Sequence, residues 1–222
     1  MSLQNKYIED ENSRRDDPRF QLHPLMRRPQ DIAFTQVRWY PMRIFHSSVK
    51  RQNALNELLT QETTVERTYV PLSLVDAEEK TYVPALVNYI FIYTSLKDLR
   101  KIKADKAQYD YLRYVMNTGR DEDYNPTSEI AFVPNKQMED FMRVIDSGNE
   151  QVVMLENLGF ACKPGEKVRI TKGIFEGVEG TLKSIKKHLC VVIPIKNVMA
   201  VAITNVPRKY LQKIEEKEDM PI

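Results

Sequence analysis

The residues whose type and spacing best suit them to chemistry are cations. Lys167, Arg169, Lys172, Lys183, Lys186 and Lys187 fall in and just after a stretch holding four of the chain's seven glycines, Gly165, Gly173, Gly177 and Gly180. Such a set can neutralise phosphates, each contact releasing counterions and adding to affinity. Residues 163–214 carry eleven Lys/Arg against three Asp/Glu, while the chain as a whole is only +2. Spread around a small domain, the same charges would be no more than a solvated basic face, and both readings stand. Bond-making chemistry has less to draw on. The three histidines, His23, His46 and His188, lie in separate segments, and Cys162 and Cys190 are too few for a disulfide framework or a zinc site. No Ser-His-Asp order, phosphate-binding loop or dinucleotide fingerprint occurs. The expectation is a protein that is not an enzyme and holds no metal or cofactor.

The elements that would position those cations follow from periodicity. Val168 and Ile170 alternate with Lys167, Arg169 and Thr171, the period-two pattern of a half-buried strand. A second alternating run, Thr181 to Ile185, follows Gly180, and Gly173 and Gly177 supply the reversal between them. With Leu189–Ile193, Val198–Ile203 and Val206–Ile214, this makes five short strands in about fifty residues, an SH3-like β-barrel over 163–214. The alternation puts the cations on the outside without deciding whether they converge. Only Phe175 and Tyr210 are present for stacking on bases. Weak RNA binding and a main role in contacting protein are expected of the barrel.

Ahead of it, residues 33–148 read as strand, helix, strand, strand, helix, strand, strand, helix. Val37–Ile44 is a strand in which Pro41 suggests an edge or a bulge. Ser47-Ser48 caps a helix with apolar residues at Val49, Ala54, Leu55, Leu58 and Leu59. Leu86–Tyr93 is the most apolar run and reads as a central strand. Ser95 and Asp98 make a capping box. After Pro134, Met138, Phe141, Met142 and Ile145 share one face of a helix that Gly148 ends. The fold class is α+β, an α/β sandwich with a mainly antiparallel sheet and flanking helices, followed by the small barrel. Residues 1–32 are a polar leader, 149–162 a linker and 215–222 an acidic tail. No apolar run nears the roughly 18 residues that span a bilayer, and the first ten residues lack a signal peptide's apolar core. A cytoplasmic monomer with no membrane partner is expected.

Pro164–Leu182 resembles the KOW motif of transcription elongation factors and some ribosomal proteins. Trp39-Tyr40, the run Pro84-Ala85-Leu86-Val87-Asn88-Tyr89-Ile90-Phe91-Ile92 and the step Phe132-Val133-Pro134 resemble the N-terminal domain of the NusG family. Leu86-Val87 stand where that family often has Phe-Pro. The long leader and the Val-Asn-Tyr-Ile-Phe-Ile wording are most similar to the UpxY-type paralogues that control capsular polysaccharide operons. The resemblance implies an antitermination factor whose N-terminal domain binds the clamp helices of RNA polymerase, with Leu86, Tyr89 and Phe132 as anchors and Arg43 at the rim. It leaves nascent RNA, non-template DNA or a second protein as partners for the rest. The rival reading is a KOW-containing, ribosome-associated RNA-binding module with the six cations on phosphates.

Overall fold

A computed structural model describes residues 34–76, 81–121, 123–155, 165–185 and 188–214. The first sheet has the order β2-β5-β1-β6, all antiparallel. Its strands are β1 (Val37–Ile44), β2 (Arg67–Tyr69), β5 (Tyr89–Ser95) and β6 (Leu112–Tyr114). Two hairpins accompany it, β3 (Leu72–Asp76) with β4 (Thr81–Pro84), and β7 (Met116–Arg120) with β8 (Pro126–Ile130).

Pro41 does not make β1 an edge strand. The Ile44 N–H donates to Asn88 O at 2.8 Å, so the even residues of β1 direct their backbone groups at β5. The odd residues, Pro41 among them, direct theirs the other way. On that side β6 pairs only with Met42, Arg43 and Ile44. The proline's missing donor therefore faces a stretch where the ladder has already ended.

Strand alternation gives the sheet two apolar faces. Tyr40, Met42, Ile44, Ile90 and Ile92 point to one, where helices α1 (Val49–Thr60) and α2 (Leu96–Asp105) cover them with Leu55, Leu59, Leu99 and Ile102. Both helices start on a serine. Ser48 Oγ accepts from Arg51 N at 3.2 Å, and Ser95 Oγ accepts from Asp98 N at 3.1 Å. Trp39 and Phe91 point to the opposite face, which helix α3 (Asn135–Asp146) covers with Phe141, its ring 5.8 Å from that of Phe91. Gly148, at φ 58°, follows the end of that helix.

The second sheet is also antiparallel, with the order β14-β10-β11-β12-β13-β9. It contains the expected strands β10 (Lys167–Ile170), β11 (Glu179–Ile185), β12 (His188–Ile195) and β13 (Met199–Thr204). It also contains β14 (Leu211–Lys213), shorter than the expected Val206–Ile214 because Arg208–Tyr210 forms a 3-10 helix. A sixth, β9 (Val152–Leu155), comes from the stretch read as linker and pairs with β13. The order is open: among the described residues no ladder joins β14 to β9. The glycine hairpin forms as expected between β10 and β11, closed by Gly177 N to Ile170 O at 2.7 Å and Ile170 N to Val178 O at 2.9 Å. Gly173 and Gly177 sit at φ 93° and 86°, a backbone conformation strained for any residue with a Cβ although the space around both is open. At Gly180 the need is room, since a Cβ would lie 2.7 Å from both Val191 Cγ1 and Val192 O.

One apolar core joins the two sheets. Trp39, Phe91, Val133 and the α3 residues Met138, Phe141, Val144 and Ile145 are continuous with Val168, Ile170, Phe175, Val178, Val191, Ile193 and Val201. Helix α3 packs against β1 as well as against β12 and β13. Four layers result, with α1 and α2 outermost, then the first sheet, α3 and the second sheet.

Candidate functional site

Three of the four residues that the sequence marks for protein docking meet at one end of the first sheet. Arg43 and Tyr89 are direct cross-strand partners on β1 and β5. Leu86 lies in the turn just before Tyr89, not in a strand as the apolar run suggests: the ladder with β1 reaches back only to Asn88, and before it the chain turns toward Pro71. Ala85 N donates to Pro71 O at 2.8 Å, and Asn88 O accepts from Ile44 N. Gln52 on α1 reaches across and donates its amide to both Leu86 O and Tyr89 O, each at 2.6 Å. Leu86 and Tyr89 are half-buried against the margin of the shared core, while Arg43 is exposed.

Phe132 does not join them. Its neighbours Ala131 and Val133 are buried in the shared core, so Phe132, 43% exposed, turns to the other side of the chain. There the Arg38 guanidinium stacks on its ring, 4.2 Å from the centroid. Val133 bridges to Trp39, and four residues of strand, about 13 Å, separate Trp39 from Arg43. Phe132 and Tyr89 are therefore two patches.

Arg43 has a second unusual neighbour. Across β6 it faces Arg113 in direct register, and like charges opposite one another destabilise a ladder. Arg113 bends away, donating to Leu112 O at 3.0 Å and to Asp110 O, with its guanidinium 5.5 Å from the centre of the half-exposed Phe45 ring. Among the described residues Arg43 has no hydrogen-bond or ion-pair partner. An exposed arginine beside a half-buried tyrosine and leucine is an arrangement suited to docking a protein surface that carries carboxylates.

The glycine hairpin is already engaged. Lys136 Nζ donates to Gly177 O at 3.0 Å, and Arg143 donates to Glu176 O at 2.6 Å and Ile174 O at 2.8 Å. Gln137 donates to Pro194 O. Between these lies Asp140, 4% exposed, whose carboxylate takes Lys136 Nζ at 2.6 Å and the Glu179 N–H at 3.0 Å. Asn197, left-handed at φ 62° in the β12–β13 turn, donates to Met116 O at 2.9 Å. On β2, the Tyr69 hydroxyl donates to Asp146 of α3 at 2.8 Å, and burial followed by that carboxylate pushes its phenol well above the usual range. Gly165 approaches β11, with Thr181 Cγ2 at 2.7 Å from the position of a Cβ.

Among the described hairpin cations Lys167, Arg169 and Lys183 share one face of the second sheet, since Lys167 stands opposite Thr181 and Arg169 opposite Glu179. Lys167 and Lys172 are exposed. Arg169 is exposed too but is held by Glu179, with N–H to carboxylate distances of 2.5 and 2.9 Å. Lys183 departs from the expectation: it is 8% exposed, because on that same face it stands opposite Cys190 of β12, where the buried cluster of Cys190, Val192, Ala200 and Ala202 begins. Lys186 and Lys187 lie outside the described residues, as do the leader, the tail, residues 156–164 with Cys162, and the 77–80 loop tip. Burial raises the pKa of the Cys190 thiol above its ordinary value. Among the described residues no group of three or more His, Cys, Asp or Glu could hold a metal, and no helix is long and apolar enough to cross a membrane.

Sequence reasoning missed Gln52, Asp140 and Asn197. Gln52 carried a usable signal, since it precedes Leu55 by three and Leu59 by seven on the buried stripe of α1. Asp140 carried none, as its role depends on β11.

No family model matches the chain, and no curated protein does. Among solved structures it is similar to one described as "Domain interaction in Thermotoga maritima NusG", at 18% identity over 81% of this chain and 98% of that one, with a TM-score of 0.39.

Proposed function

We propose that this protein is a non-enzymatic transcription elongation and antitermination factor of the NusG type, which docks on the clamp helices of RNA polymerase and suppresses pausing or termination. The observation that carries the reading is the Arg43–Tyr89–Leu86 edge: the motif residues come together there beside an arginine whose side chain has no partner among the described residues. A tyrosine and a leucine fixed at a sheet margin lose little freedom on binding, and an exposed arginine is available for carboxylates. The effect on transcription would follow from differential affinity, the factor favouring the elongating state of polymerase over the paused one. In this reading Phe132 with Arg38 is a separate contact, and the six-stranded sheet, open in its strand order, is the KOW domain. The UpxY-like wording of the strand supports capsular polysaccharide-type operons as targets.

The RNA-binding alternative is less well supported. Arg169 is neutralised by Glu179, Lys183 is covered, and the hairpin carbonyls are occupied by α3. A pull-down from extract, with and without residues 1–32, tests the choice. Recovery of polymerase subunits is expected; recovery of ribosomal RNA without polymerase would favour the alternative.

A further inference from the structure

Gln52 is the one wholly buried polar side chain of α1, at 0% exposure, and it sits where its stripe calls for an apolar residue. Its amide nitrogen is shared between Leu86 O and Tyr89 O, 34 and 37 residues away, at 2.6 Å each. Its Oε1 is buried and has no hydrogen-bond partner among the described residues. The orientation of the amide is fixed by the two carbonyls, because a flip would set an oxygen against both. An unpaired buried acceptor is costly, and a methionine or leucine of similar volume would avoid that cost. The carbonyls it ties belong to the two residues that form the docking edge. Asn88 O, between them, is taken by Ile44 N, and the Ala85 N–H by Pro71 O. Every one of these bonds comes from outside the turn, and Gln52 supplies the only side chain among them.

We infer that Gln52 is a positioning residue: by holding Leu86 O and Tyr89 O together it fixes the 85–89 turn so that Leu86 and Tyr89 present one preformed edge to the protein partner. This rests on the polymerase-docking reading of that edge. A turn ordered before binding loses less entropy in the complex, so the anchor acts on affinity without touching the partner. Its action separates from that of a residue which merely fills the core. A filling residue changes global stability and leaves the affinity of the folded fraction alone, whereas a positioning residue changes affinity at temperatures where the protein is fully folded.

The test uses the full chain. In the wild type, NMR of the Gln52 side-chain amide is expected to show protons that exchange with solvent far more slowly than those of an exposed glutamine; exchange at the exposed rate would overturn the anchor without any variant. Gln52→Met keeps the volume and removes both donors. It is expected to speed amide exchange in 85–89 while leaving β12 and β13 protected, and to weaken binding to purified core RNA polymerase about tenfold, while Gln52→Leu, which likewise lacks the donors, behaves like Gln52→Met. Tyr89→Ala is measured alongside. Wild-type affinity in Gln52→Met, with affinity lost in Tyr89→Ala, would overturn the positioning role alone. Wild-type affinity in a folded Tyr89→Ala would instead defeat the docking reading on which it rests.

Discussion

Replacing Asp140 tests whether α3 holds the two sheets as one body. Asp140 is 4% exposed and does two jobs, receiving the Glu179 N–H at 3.0 Å and Lys136 Nζ at 2.6 Å. The lysine is half exposed, its side chain retaining 51% of its accessible surface, so solvent screens the ion pair and its share is about 0–1 kcal/mol. The larger share is the backbone donor on β11. Asp140→Ala leaves it without its acceptor inside the shared core, at about 1–3 kcal/mol. Together these give a loss of about 1–4 kcal/mol. Asp140→Asn retains an oxygen for the Glu179 N–H and gives up only the charge, so its loss should stay near 1 kcal/mol. Urea unfolding at pH 7, followed by Trp39 fluorescence and by far-ultraviolet circular dichroism, reads both. Coincident transitions are expected from the two probes, since Trp39 and the second sheet share one core. Equal losses in the two variants, or a loss below about 0.5 kcal/mol in Asp140→Ala, would refute this assignment of the energy.

Other expectations follow from local geometry. Glu62 accepts from Lys106 Nζ at 2.7 Å and from the Tyr109 hydroxyl at 2.6 Å, and these bonds hold its carboxyl below the usual range. Its contribution is therefore complete above the unfolded value, about 4.3, and is lost as pH falls through the lower folded value. Glu62→Gln should lower stability at pH 7, with the gap to wild type closing below about pH 4; a gap independent of pH would contradict this. Burial and Glu62 push the Tyr109 phenol up to about 12, so its ultraviolet titration should lag behind exposed tyrosines and return toward them in Glu62→Gln. Gly180→Ala drives a Cβ to 2.7 Å from the Val192 carbonyl oxygen, and the resulting backbone shift should cost about 1–3 kcal/mol in thermal unfolding.

The parts of the fold that were legible in the sequence are those with local causes. Ser48 and Ser95 start helices because their hydroxyls reach a backbone N–H three residues on, and Gly173 and Gly177 turn the hairpin because φ demands it. The parts that were not legible depend on distant chain. Pro41 lies inside a sheet because β6 is short, and nothing in residues 37–44 states the length of β6. Strand β9 has only four residues, and its pairing with β13 depends on a partner some fifty positions later. Lys183 looked like a surface cation because it shares a face with the exposed Lys167 and Arg169, and strand alternation does not reveal where along that face burial by β12 begins. At the candidate site, the chain motif around Tyr89 was readable. The separation of Phe132 was not, since it follows from the bridge between Val133 and Trp39.

The most direct test of the account is the affinity of the full chain for purified core RNA polymerase, compared with that of Tyr89→Ala. The wild type should bind. The folded variant should lose about 2 kcal/mol, roughly thirtyfold in Kd, as a docking anchor does when truncated. No association by the wild type, or equal affinity in a variant whose unfolding curve matches the wild type, would contradict it.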